Sequence, residues 1–127
     1  MNNIQLHFFI LFVSLSVIPF SLKATDCDNA MTTLEINQCA EADFEQAEMQ
    51  LQEVFDSVLE KNKHNAALIA LLNESQMHWL VYRTSYCDVV YQRWVEGSIR
   101  NLKTIACRTM VTKNRFQQLS TDFMNGL

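Results

Sequence analysis

CDVVYQRWVEGSIRNLKTIAC, residues 87–107, is the stretch whose reading decides the fold. Cys87 stands ten residues before Gly97, and Cys107 stands ten residues after it. Apolar residues recur on both sides at three- and four-residue steps, and Gly97-Ser98 interrupts them, with Ser98 expected as the N-cap of the following helix. The reading is a helical hairpin that reverses at Gly97. In such a hairpin Cys87 and Cys107 lie at the same height and face each other.

Working outward, the rest of the chain follows the same period. The chain has only two glycines and one proline, too few breakers for a sheet-and-loop protein. Thr32 and Glu35 have capping-box spacing and open a first helix. Its apolar side runs through Ile36, Ala40, Phe44, Ala47, Leu51, Phe55 and Val58, toward an end at residues 61–65. A second helix is expected from about Ala66 to Trp94, with Leu68, Leu71, Leu72, Ser75, Trp79, Tyr82, Tyr86 and Val89 as its inward stripe. Asn73-Glu74-Ser75 is its weakest stretch and a place for a kink. The third carries Leu102, Ile105, Thr109, Thr112, Phe116, Leu119 and Phe123. The expected fold is therefore all-α: three long antiparallel helices in an up-down-up bundle.

Residues 8–20, FFILFVSLSVIPF, form an apolar run short of the roughly 20 residues of a transmembrane helix. With Ala24 after it, the run reads as a secretory signal, residues 1–24, leaving one domain at 25–127 with no stable membrane anchor. All four cysteines, Cys27, Cys39, Cys87 and Cys107, follow this leader, as expected of an exported, periplasmic or secreted, disulfide-bonded domain. Cys27 precedes the first helix and Cys39 lies two turns inside it, so the N-terminal segment can fold back to join them. Pairs Cys27–Cys39 and Cys87–Cys107 are favoured over the other two connectivities, each contributing roughly 3 kcal/mol in the chain-entropy model.

Charge is divided along the chain. Residues 26–60 hold ten acids and no Lys or Arg, whereas residues 61–127 hold four acids and nine bases. An acidic face around Glu41, Glu45, Glu48, Glu53 and Asp56 either is neutralised within the bundle or steers a basic protein partner. The overall negative charge makes nucleic acid a poor partner. No close Cys or His ligand pair, phosphate loop or nucleophile motif is present, so neither a metal, a cofactor nor an enzymatic activity is expected. Trp79, Arg83 and Cys87 share one side of the second helix; Cys107, Thr112 and Arg115 run along the third. Arg83 and Arg115 either form a polar binding site or orient the bundle through hydrogen bonds to Glu35, Thr112 or helix-end carbonyls. The turn, Trp94-Val95-Glu96-Gly97-Ser98, either reverses the chain or presents aromatic and acidic groups to a partner.

TLEINQCA at residues 33–40, with Phe44, Ala47-Glu48 and Leu51, resembles the opening of the LprI-type lysozyme inhibitor family. The resemblance continues through SQMHWLVYR at 75–83, Cys87, Glu96-Gly97-Ser98, and Cys107, Thr112, Arg115 and Leu119. Thr84 departs from it, since the family commonly has an acid after the arginine. The resemblance implies an exported all-helical domain that binds lysozyme, with no catalytic residues to carry over. An adaptor or immunity-type protein for another envelope partner is the alternative, and a purely structural envelope protein is a third. Oligomeric state is left open.

Overall fold

The structure, a computed structural model, describes residues 26–124; the expected leader and its cleavage site lie outside them. A single 3₁₀ turn at Cys27–Asn29 leads into three helices, α1 (Thr33–Lys61), α2 (Ala66–Arg93) and α3 (Arg100–Leu119), and a π-helical segment at Ser120–Met124 follows. The helices alternate in direction with short connections, and no strand occurs among the described residues. The fold is all-α as expected, and its two disulfides join Cys27 to Cys39 and Cys87 to Cys107.

α1 begins where its capping box lies. The Glu35 N–H donates to Thr32 Oγ1, and the Thr32 and Met31 N–H groups donate back to Glu35 Oε2 at 2.9 and 3.1 Å. These bonds, the Thr32 backbone first, then Met31, then the Thr32 hydroxyl, hold the Glu35 carboxyl below its ordinary value. A depressed folded-state value means the contribution is present above the ordinary carboxylate range and is lost as pH falls through the depressed value. In a carboxyl NMR titration, Glu35 is expected to protonate below the ordinary carboxylate range, with Thr32 amide exchange rising at the same point. Titration of Glu35 at its ordinary value would contradict the cap.

At the opposite end Lys61 Nζ donates to the Phe123 carbonyl, 2.7 Å away, tying the last turn of α1 to the π-helical segment that follows α3. Here lies the main apolar core: Leu51, Val54, Phe55, Val58, Leu72 and Leu119, with Trp79, Phe116 and Phe123 packed against it. A smaller core of Cys87, Cys107 and Val111 occupies the half nearer the α2–α3 turn. α3 is the shared partner of both other helices, which explains why it buries residues on two sides, among them Thr104, Ile105, Cys107, Thr112 and Leu119.

Four local expectations are corrected. Ser98 does not cap α3: the N-cap position falls to Ile99, without a side-chain cap, and the start is held by backbone turns instead. The regular α-helical part of the third helix stops at Leu119, so Phe123 lies in the π segment. In α2, Leu68, Leu72 and Trp79 face the core, but Leu71, Tyr82, Tyr86 and Val89 are exposed. α2 is apolar on several faces, so periodicity alone does not choose one. The disulfide at Cys87 and the side chain of Arg83 choose it. The helix also runs unbroken through Asn73-Glu74-Ser75.

Candidate functional site

The α2–α3 turn is cross-tied. The Gly97 N–H donates to the Trp94 carbonyl at 2.8 Å, and the Arg100 N–H donates to the Gly97 carbonyl at 3.2 Å. Arg100 Nη1 also donates to the Val95 carbonyl at 3.0 Å, with its guanidinium 5.7 Å from the Tyr91 ring centre. A β-carbon at position 97 would stand 3.3 Å from the Trp94 carbonyl oxygen and 3.8 Å from its indole, which is why glycine suits this reversal. Trp94 folds over Gly97 and carries Lys103 Nζ 5.3 Å above its ring, so it packs on the start of α3 rather than along its own helix. Glu96 and Ser98 are exposed at the tip.

Beside the turn, α1 is separated from α2 by a groove of about 460 Å3 whose floor is α3. Glu41 and Glu45 stand on the α1 wall; Tyr91 closes it from α2, and Asn101, Thr104 and Arg108 line it from α3. Acids, amides and one guanidinium around an open cleft suit an extended polar segment bearing basic groups. Asn101, Tyr91 and Arg108 were not singled out from the sequence. Nothing in their local pattern marks them, because they meet Glu41 and Glu45 only through the tertiary fold.

Glu48, one further turn along α1, is committed to an ion pair: its Oε1 lies 2.8 Å from Arg83 Nη1. The same nitrogen donates to Thr112 Oγ1 at 2.8 Å, and the guanidinium sits 4.9 Å from the Trp79 ring and 5.2 Å from Phe44. The acid that serves Arg83 therefore comes from α1. Thr84, where the family commonly has an acid, turns its hydroxyl back to the Leu80 carbonyl. Arg115 is buried and donates to neutral acceptors, Gln76, Gln118 and Ser75, at 3.2, 2.7 and 3.0 Å. Burial lowers its pKa, against an opposing pull from Asp122. The two arginines thus hold separate networks and do not build one site. Glu35 belongs to the α1 cap and meets neither.

His78 is exposed, 3.7 Å from Glu74 of its own helix. Among the described residues no group of three His, Cys, Asp or Glu side chains is placed to hold a metal ion, and no helix is long and apolar enough to cross a membrane. The two disulfides fit an oxidising, extracytoplasmic setting.

A disulfide-stapled three-helix domain with an acid-walled groove beside an exposed turn is the class that these features define. The match to known families is more specific: residues 25–119 match the model of the lysozyme inhibitor LprI, and the chain belongs to this family of inhibitors. Comparisons with curated proteins and with solved structures give no match.

Proposed function

We propose that this chain is an exported envelope protein, delivered by a leader at residues 1–24, whose domain at 25–127 binds a lysozyme and blocks it without catalysis. The observation that carries this reading is the family match, which spans the whole disulfide-stapled bundle. The groove supports it. Lysozymes of the animal type are basic, and Glu41 and Glu45 on one wall, with Glu96 at the adjoining tip, would draw a basic surface to one end of the bundle. A cross-tied turn is also pre-organised, so presenting Trp94 and Glu96 to an enzyme cleft costs little ordering entropy.

The test is a cell-wall turbidity assay with purified, oxidised residues 25–127 and an animal-type lysozyme, beside an unrelated acidic protein. Dose-dependent inhibition beyond that control, persisting at moderate salt, is expected. Glu41→Lys with Glu45→Lys should weaken inhibition about tenfold, mainly through slower, less salt-sensitive association. Trp94→Ala with Glu96→Lys should weaken it as well; unchanged inhibition by this folded variant would remove the turn from the contact surface. A folded wild-type protein that inhibits no better than the control would move the reading to an adaptor or immunity role with another envelope partner.

A further inference from the structure

α2 is covered on one side only. Although it is 28 residues long, its buried residues are Leu72 and Cys87. On the opposite side Leu71, Val81, Tyr82 and Val89 are 62%, 68%, 54% and 65% exposed, and Met77 and Tyr86 stand open beside them. A helix apolar around its circumference is ordinarily covered on both sides. At these exposures the six side chains present on the order of 600 Å2 in all, with His78, Ser85 and Gln92 exposed among them, against roughly 300–600 Å2 for the largest patch on a typical monomer. That area also approaches the ~800 Å2 that each partner gives to a standard interface. Tyr82 and Tyr86 are already stacked, with ring centres 5.7 Å apart and planes 13° from parallel. Ordered aromatics of this kind are enriched at the centres of protein interfaces.

Charge points to the occupant. α1 lies in the segment with ten acids and no Lys or Arg, so two copies repel each other there. The formal charges on the outward side of α2, Glu74, Asp88 and Arg93, nearly cancel. A face that is largely apolar, close to neutral and carried on one unbroken helix can pack against itself about a two-fold axis.

We propose that a second copy of this chain covers the outward face of α2, the two helices running antiparallel and crossing near Tyr82. The proposal is independent of the lysozyme reading, and none of the six residues lines the acid-walled groove. Sedimentation velocity and light scattering on oxidised residues 25–127, from micromolar to millimolar concentration, test it without any enzyme present. The mass is expected to rise to that of two chains. Val81→Glu with Val89→Glu should hold it at one chain throughout, with unchanged helicity because neither side chain is in the core, and with melting that no longer rises with protein concentration. Leu71→Lys with Tyr82→Lys, a second pair on the same face, should do the same if the first variant misfolds. A wild type of single-chain mass at every concentration would overturn the proposal, as would a folded Glu variant that dimerises like the wild type. A single-chain wild type whose inhibition is lost in the Glu variant would assign the face to the enzyme instead, and the dimer would be wrong.

Discussion

Replacing Cys87 and Cys107 together by alanine is expected to lower the stability of the domain by about 3 kcal/mol, the largest effect of any pair of substitutions considered. The bond closes a separation of 20 residues, and in the chain-entropy model a loop of that size contributes roughly 3 kcal/mol by constraining the unfolded chain. Both cysteines are buried in the smaller core with Val111, so the folded hairpin holds together even when the bond is absent. The entropy released on cutting it therefore goes almost entirely to the unfolded state. For a domain of about 100 residues, 3 kcal/mol corresponds to a fall in Tm of roughly 12–24 °C.

The same double replacement at Cys27 and Cys39 should cost under about 1 kcal/mol, although its loop of 12 residues predicts nearly as much in the same model. The difference lies in the folded state. The 3₁₀ turn at Cys27–Asn29 buries no residue, so without the bond this segment loosens while the bundle survives. Folded and unfolded states then gain similar freedom, and the loss largely cancels. Thermal melts of the two double variants check both statements. Equal losses would show that the N-terminal turn is held by more than its disulfide. Mild reductant should likewise open Cys27–Cys39 first, because Cys27 is exposed whereas Cys87 is fully buried.

Arg83→Ala is the second large effect, an expected loss of about 2–3 kcal/mol. Thr112 is fully buried, and the change removes the Arg83 donor from its hydroxyl. An unsatisfied buried polar group costs about 1–3 kcal/mol. Lost stacking against Trp79 and Phe44 adds to that. Arg83→Lys should recover little, since one ammonium does not replace a planar guanidinium that stacks while bonding Thr112 and Glu48. Glu48→Gln should cost less than about 1 kcal/mol, because the Glu48 side chain is 45% exposed and the ion pair is screened by solvent. Urea melts of the three variants rank these contributions. A loss on Glu48→Gln as large as on Arg83→Ala would mean that the charge pair, rather than the buried hydroxyl and the rings, dominates at this position.

The sequence made some of this network legible. Trp79, Arg83 and Cys87 at four-residue steps place an arginine on the side of the disulfide, with Thr112 within the set of acceptors it can reach. Spacing along α1 puts Glu48 in an acidic face, because it shows which acids share a side but not what lies opposite. The groove was hidden for the same reason: Glu41 and Glu45 meet Asn101 and Arg108 across distances that no local pattern encodes.

What the sequence determined by itself is local or nearly so. The helical class follows from apolar steps of three and four residues with almost no breakers. The start of α1 follows from Thr32 and Glu35, and the reversal from Gly97 midway between two cysteines. The disulfide pairing follows once that reversal is in place. The tertiary structure alone decided which side of α2 is inward, since Leu71, Tyr82, Tyr86 and Val89 were as apolar as the residues that were buried. It also decided that α3 is the central helix, and that the acids of α1 divide between a groove wall and an ion pair. The physical reason is that propensity and capping act within a few residues. The choice among several apolar faces is made by the disulfide, by Arg83 and by close packing, which join residues far apart in the chain.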